Sequence, residues 1–563
     1  MNGIRLGGLA SGLDTEMIVK QLMTLERTKV DRVSQQKQIS LWRQEQYREI
    51  NKKMANFVID SKLSFGLSTT TASGSLLNAS RNSMNWVKKA SATNEAAASV
   101  SANAGAANGS YKVKVNSLAS NWSSASSEKV SLSEDTSTLA KQLNLETTDK
   151  IKFSIATDKG TFNFDKLAGD TNISEVVKEI NAAELGVTAV YDKNTDRFFL
   201  QTNNTGAENT IKITDESVIT GGKSFITGNN SFLKLQQEVS EGNYAKVANA
   251  TEYRGNDASI DFGAATNITF SSNDFTVNNI SFSLKETTAT SFQVNVTADI
   301  ESAFDKIKEF VDNYNKIVDQ LDTVTSQKND SSYKPLSATD KEAMSDKEVE
   351  LWEEKAKNGL LSKDATLLKI GSATRVGLYQ NVEGVSGSFK HLVQLGITTE
   401  AYSGSSAGGR LQIDEEKLKT ALQDDIDGVI ELLFKEPDSS LGGNEDNLSS
   451  AQINDKRAQS GIFSRLFDNM TAGMKDIVYQ AGPGDDSALL RKVNPYMLLN
   501  FATKQSSISN LDRGILDYNK RIVNIEKLLS NKEESYWRKY TAMEKAMFTM
   551  NNQMSSLLQQ LGQ

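Results

Sequence analysis

The 563-residue sequence has no cysteine. That excludes a disulfide framework, thiolate metal ligands and a cysteine nucleophile. A chain so composed meets an oxidising compartment, or travels unfolded, without crosslinking. Proline occurs four times, against about 28 expected at average usage, and Pro335, Pro437, Pro483 and Pro495 all fall in the second half of the chain. Histidine occurs once, at His391, so no histidine pair is available to a metal. No stretch approaches the ~18 consecutive apolar residues of a membrane span, which argues against membrane insertion. The opening MNGIRLGGLASGLDTEMIVKQL places one basic residue, Arg5, ahead of a glycine-rich segment broken by Asp14 and Glu16. Lacking an apolar h-region, it does not read as a cleavable signal peptide. An excess of positive charge is missing too: 63 Lys and Arg stand against 71 Asp and Glu, a formal net charge of -8. Nucleic acid, which requires a basic face against phosphate, is not an expected partner.

What is present is a symmetric layout, with long amphipathic helices at both ends and a Ser/Thr/Asn-rich β section between them. Length alone predicts three or four domains of roughly 150 residues. A first helix is expected to start at Asp14 or Thr15, either of which can cap open amides. Ile18, Leu22 and Leu25 begin its apolar stripe, and Tyr47, Ile50, Met54 and Phe57 continue it. The intervening QQKQISLWRQEQYRE is polar enough to narrow or break the stripe. At the other end Ile508, Leu511, Ile515, Tyr518, Ile522, Ile525 and Leu529 alternate in steps of three and four, which is an a/d heptad seam. After Lys532 and Tyr536, a second step of four leads to Tyr540, a stutter that locally unwinds a supercoil. Regular spacing resumes through Met543, Met547, Met550, Met554, Leu557 and Leu561. The pattern predicts a helix of ~60 residues and ~90 Å, too long for one globular core to cover. This seam, with Ile18, Leu22 and Leu25, is the candidate partner-binding surface. The methionine ladder 543–554 suits a coiled-coil core and equally an adaptable surface that repacks against several partners. A third heptad helix runs through Ile300, Phe304, Ile307, Val311, Tyr314, Val318 and Leu321, and SQKNDSSYKP with Pro335 ends it.

Between about 75 and 298 the period changes to two. YKVKVNSL (111–118) puts Tyr111, Val113 and Val115 on one face. Further strands are expected at 151–155, 161–164, 187–191, 197–202 and 211–214, with a short helix at 174–183. ASIDF, NITF, DFTV, ISFSL and SFQVNV form a second cluster between 258 and 296. One or two small β-dominated domains inserted into a helical stalk follow from this, with edge strands as contact surfaces. Helices return at about 340–357, 364–380, 414–433 and 461–480, with a hairpin from LGITTE to GRLQID across SGSSAGG (403–409).

Candidate chemistry fails on inspection. GGKS (221–224) lacks the first glycine of a phosphate loop, since position 217 is Ser217. QDDIDG (423–428) resembles a calcium loop, but its first position would be Gln423 and its twelfth Phe434, where a carboxylate is required. Leu418, Leu422, Ile426, Val429 and Leu433 read instead as an amphipathic helix. His391 has no GxSxG serine to serve and is expected partly exposed in a loop. No catalytic, cofactor-binding or metal-binding residue is assigned, and the chain does not read as an enzyme.

Several blocks, in order along nearly the whole chain, resemble the flagellar filament-capping family, also called hook-associated protein two. GLASGLDTEMIVKQLM (8–23) is similar to its N-terminal signature, and YKVKVNSLAS (111–120) to the strand leading into its head domains. TNISEVVKEINAAELGVTAVYDKNTDRFFLQTNNTGAENTIKIT resembles a β-α-β insert shared with flagellin outer domains. MSDKEVELWEEKAKNGLLSKDATL (344–367), LGITTE, GRLQIDEEKLKTAL and WRKYTAMEKAMFTMNNQMSSLLQQL (537–561) are similar to its C-terminal part, the WEEKAK block most of all to Gram-positive, clostridial-type versions. The resemblance implies an α+β multidomain fold in which long coiled-coil terminal helices and a helical domain flank inserted β-rich head domains. Carried onto this chain, it gives an N-terminal leg (1–70), a β-rich head domain (71–120 with 245–298), an inserted outer head domain (121–244), a helical domain with a β-hairpin (299–495) and a C-terminal leg (496–563). It further implies a ring-shaped homo-oligomer, most often a pentamer, at the filament tip. Such a cap retains exported flagellin until it folds and polymerises, and in some members also acts in adhesion. Flagellin, the filament end, the flagellar type III export apparatus and a cytoplasmic export chaperone are the implied partners. Another axial flagellar protein, a junction protein or flagellin, is the alternative; a non-flagellar adhesin or an enzyme fits less of the pattern.

Overall fold

The computed structural model describes residues 14–130, 133, 137–400 and 409–562. The fold is α+β, and the chain divides into two compact units: Met1–Arg81 with Ile300–Gln563, and Asn82–Asp299.

The first unit begins with α1 (Thr15–Phe65), a helix of 51 residues capped by the Asp14 carboxylate, which accepts from the Met17 amide. Gly66, at φ +75°, ends it by turning its N–H back onto the Leu63 and Lys62 carbonyls, a left-handed stop that glycine adopts without steric cost. After the second unit, which contributes α2 (Leu139–Leu143) and α3 (Ile173–Ala182), the chain returns as α4 (Ile300–Ser326). There follow α5 (Ala338–Glu342), α6 (Asp346–Lys357), α7 (Ala365–Tyr379), α8 (Glu415–Phe434), α9 (Ser450–Gln459), α10 (Ile462–Ala481), α11 (Ser487–Val493), α12 (Tyr496–Gln505) and α13 (Asn510–Leu561). The helix expected over 340–357 is broken in two, because Ser337 and Ser345 each form a capping box and start a helix of their own. The strands Ile397–Thr399 and Leu411–Ile413 pair as expected; the turn SGSSAGG, apart from Gly409, lies outside the described residues.

Aromatic rings from four helices make the centre of this unit. Phe57 and Phe65 of α1 meet Phe310 of α4, Phe434 of α8 and Phe463 of α10, with Phe310 and Phe463 centroids 4.1 Å apart and Phe65 and Phe434 4.6 Å. Beside them Arg465 is fully buried. Its guanidinium donates to the carbonyls of Gly377, Gln380, Asn381 and Ser460 at 2.8–3.1 Å, tying the C-terminal ends of α7 and α9 to α10. The acidic run at 423–428 has a structural job. Asp425 leaves helical geometry (φ -157°, ψ 76°) and its carboxylate accepts from the Gly428 amide, so it recaps α8 in mid-course, while its other oxygen accepts from Ser388 N.

The second unit has two hydrophobic cores. One lies between a five-stranded antiparallel sheet, ordered Ala265–Phe270, Ala258–Phe262, Gly109–Ser117, Phe292–Ala298, Lys88–Ala92, and a three-stranded sheet of Asp274–Val277, Ile280–Leu284 and Ala98–Ala102. Val113 and Val115 are fully buried there, and Tyr111 stacks on Phe262 at 5.0 Å. The other core, from Trp122 to Val247, fills the space among α2, α3 and two further sheets of five and four strands. The chain crosses between cores where Ser120 and Asn256 exchange backbone hydrogen bonds. A side chain at Gly255 would lie 2.3 Å from the Ser120 carbonyl oxygen, so this crossing requires glycine. The edge strand Val187–Asp192 is closed at Ala189, whose N–H and C=O are both taken by the Asn181 side chain, a device that blunts an open sheet edge. The GGKS loop presents no anion cradle: the nearby Ile226 and Thr227 amides donate to Asp215, the Thr220 amide donates to Asp149, and Lys223 sits over the Phe232 ring.

Candidate partner-binding helices

The candidate surface is carried by α1 and α13, which run antiparallel. Gln44 of α1 donates to Asp512 near the start of α13 at 2.7 Å, and Glu26 accepts from Lys532 at 2.6 Å. Farther out, Val19, Met23 and Leu529 are buried together with Val30, Ile525, Tyr536, Trp537 and Tyr540 around them.

At its base the pair is fixed by polar groups. Ser509 caps α13 in a capping box with Asp512. Burial pushes the Asp512 carboxyl up, but hydrogen bonds from Ser509 and Gln44 outweigh it and hold the group below the ordinary range. Gln44 and Arg48 both donate to the Ala481 carbonyl at the end of α10. The polar stretch 35–49 is therefore no gap in the α1 stripe. Gln35, Arg43 and Gln46 donate to the carbonyls of Pro335, Leu360 and Lys357 at 2.9 Å each. Tyr47 donates to Asp364; burial, then this carboxylate, raises its phenol above the usual range. Trp42 packs with Ala356 and Leu360 beneath Tyr333 and Trp352. The α6 segment is thus clamped to α1 by α1 side chains reaching its main chain.

The expected residues fall into three groups. On the outer part of α1, ahead of Trp42, the buried apolar positions are Val19, Met23 and Val33. Ile18 and Leu22 lie half-buried at the flank and Leu25 is 74 % exposed, so the seam facing α13 is set one residue C-terminal to the expected stripe. On α13, Leu529 is buried, and Leu511, Ile515, Tyr518, Ile522, Ile525, Tyr540, Met543 and Met547 are half-buried. Ile508 is not in the helix, which starts at Asn510 because Ser509 supplies the cap; it is exposed. With 52 residues, α13 is ~78 Å long at 1.5 Å per residue. Met550, Met554 and Leu557 are exposed, as are Phe548 and Leu558, which the heptad pattern did not single out. The Leu561 side chain lies outside the described residues. Thr15 comes level with the turn around Met543, so the rest of α13 extends past the described part of α1.

His391 is exposed ahead of a short 3-10 turn, Leu392–Leu395. Among the described residues no three carboxylate or histidine groups are placed to hold a metal ion, and no helix is long and apolar enough to cross a membrane.

Comparison with known proteins places this geometry. Family models for the flagellar hook-associated protein 2 N-terminus and C-terminus match residues 11–122 and 255–552. The flagellar hook-associated protein 2 of Halalkalibacterium halodurans is 32% identical over 99% of each chain. That of Salmonella typhimurium is 28% identical over 55% of this chain and 58% of its own. The crystal structure of the flagellar cap protein FliD D1-D2-D3 domains from Escherichia coli overlays 76% of this chain and 95% of its own, at 20% identity and a TM-score of 0.48. Matched end to end at 32% identity and carrying both family regions, the chain belongs to the flagellar hook-associated protein 2 family, Gram-positive type.

Proposed function

We propose that this protein caps the distal end of the bacterial flagellar filament as a ring-shaped homo-oligomer, a pentamer, that retains exported flagellin and promotes its folding and polymerisation. The observation that carries the reading is the full-length match to a flagellar hook-associated protein 2. The helix geometry supports it. The outer turns of α13 hold Phe548, Met550, Met554, Leu557 and Leu558 in water, and a helix with such a stripe gains most of its stability from a partner that covers it. On this reading the cover is the filament end and neighbouring copies. The protein works outside the cell, at the flagellum tip, reached through the flagellar type III apparatus with a cytoplasmic chaperone. The legs are the terminal helices and the heads the 82–299 unit, whose exposed Val190 and Phe199, paired across neighbouring strands, are where a secondary adhesive role is assigned.

The test is electron microscopy of flagella with and without the protein. Its loss should leave absent or stunted filaments and unpolymerised flagellin in the medium; normal filaments with no released flagellin would overturn the reading. Closed rings from the purified protein separate a cap from other axial proteins, which give open filaments.

A further inference from the structure

We propose that the Glu26–Lys532 ion pair is a specificity determinant of the leg, fixing α13 as the antiparallel, single-register partner of α1 beyond the contacts at the base. On α1 the seam reads Val19, Met23, Glu26, Val30, Val33. On α13 it reads Ile525, Leu529, Lys532, Tyr536, Tyr540. Each line holds one charge, the two signs are opposite, and the charges meet at 2.6 Å. The Glu26 side chain is 19% exposed and the Lys532 side chain 47%, so the pair closes the flank of the apolar cluster; the second Glu26 oxygen accepts from Lys29 at 2.9 Å. Hydrogen bonds from Lys532, then Lys29, hold the Glu26 carboxyl below the ordinary range, so the pair is ionised at neutral pH.

Apolar heptads alone tolerate slippage and exchange of partners; a polar residue at one seam position fixes register because every other alignment strands it. Displaced by one heptad, Lys532 would face Val19 or Val33, and Glu26 would face Ile525 or the turn of Tyr540. Parallel, in-register pairing with a neighbouring copy is penalised as well. Two α1 helices would set Glu26 against Glu26, and two α13 helices Lys532 against Lys532. Opposite charges therefore admit the α1–α13 pair and reject both homotypic pairs. The lock sits beside the stutter, where broken heptad regularity leaves the apolar seam least able to set its own register. Competition between copies arises in the oligomer proposed above; within a single chain the pair holds the outer turns in the register that Gln44 and Asp512 set at the base.

Because the chain has no cysteine, disulfide trapping in the full-length protein reads the register. Val30→Cys with Leu529→Cys reports the observed alignment, and Val30→Cys with Ile522→Cys the alignment slipped by a heptad. The unaltered seam should trap only the first. Glu26→Lys or Lys532→Glu should raise slipped trapping about tenfold, the ratio expected when a coupled charge pair is reversed. The double reversal should restore the original pattern. Unchanged trapping in both single reversals overturns the proposal. If a reversal separates the helices so that neither pair forms, Glu26→Gln decides, since it keeps the shape and removes the charge: slipped trapping must appear, and its absence overturns the proposal too.

Discussion

Near Asp512, α13 is held by a capping box, a glutamine from α1 and the end of α10; near Met550 the same helix stands with its apolar side chains in water. Both ends are written in the same spacing of threes and fours. The difference lies in what surrounds them. At the base, side chains that look like solvent-facing polar residues (Gln35, Arg43, Gln44, Gln46) satisfy carbonyls of segments distant in sequence. At the outer end, side chains that look like core are exposed. Hydrophobicity alone thus misassigns both: polar residues of α1 carry the fold, and apolar residues of α13 stay in water.

If the base is where folding energy concentrates, the largest loss should come from its most constrained group. Arg465→Leu removes a buried guanidinium and leaves four carbonyls with no donor in its place. A loss of about 3–5 kcal/mol is expected, measured by urea unfolding followed through helix content. A value below about 1 kcal/mol would mean that water replaces the guanidinium and that the α7–α10 junction is loosely packed. Next in size is Trp42→Ala, which empties the contact with Ala356 and Leu360 and should cost about 3–4 kcal/mol. Amide exchange across 333–361 should rise with it, because the α6 segment loses its seat on α1.

Much of this architecture is legible in the sequence, and where it is not the reasons are physical. The α1 cap, the heptad face of α4 and the alternation of 111–118 are set by local sequence and come out as read, as does the existence of a long helix at α13. The register of α1 does not. Its candidate stripe through Ile18, Leu22 and Leu25 is regular, but Val19 and Met23 form an equally regular line beside it, and only the position of α13 selects between them. The QDDIDG run is likewise ambiguous by composition. Asp425 recaps a helix because Ser388 and Gly428 supply the amides, and a partner amide 37 residues away leaves no trace in local spacing. The short helices α9 and α11 carry no periodic stripe for the sequence to show, and α12 is a separate helix where the sequence reads as part of the C-terminal leg. Ile508 fits the seam by spacing yet lies outside the helix, because Ser509 and Asp512 form the cap.

A smaller effect should come from the joint between base and leg. Asp512→Ala removes the capping box and the acceptor of Gln44, at about 1–2 kcal/mol. Acid should mimic it. The folded-state pKa of Asp512 is lowered, so its contribution is complete above the unfolded carboxyl value and is lost as pH falls through the folded one, below about pH 4. Amide exchange of the first turns of α13 should rise in that range for the unaltered protein and be raised at all pH values in the variant. Pronounced exchange already at neutral pH in the unaltered chain would show that the joint is not held by this carboxylate.

The smallest effect on stability should accompany Met550, Met554 and Leu557 replaced together by serine. All three are more than half exposed, so truncating them removes little buried surface, and unfolding of the two units should shift by no more than about 0.5 kcal/mol. Assembly should respond in the opposite sense. If these side chains are the cover-seeking face of the leg, the serine variant should fold like the parent yet fail to hold flagellin at the filament end, releasing it into the medium. A matched change at the base, such as Trp42→Ala, should harm assembly only in proportion to the folded protein it removes. Equal flagellin retention by the serine variant and the parent would move the partner-binding surface off the outer turns of α13. A large loss of stability in the variant would mean that the chain covers those turns itself, and the contrast between the two ends of the helix would disappear.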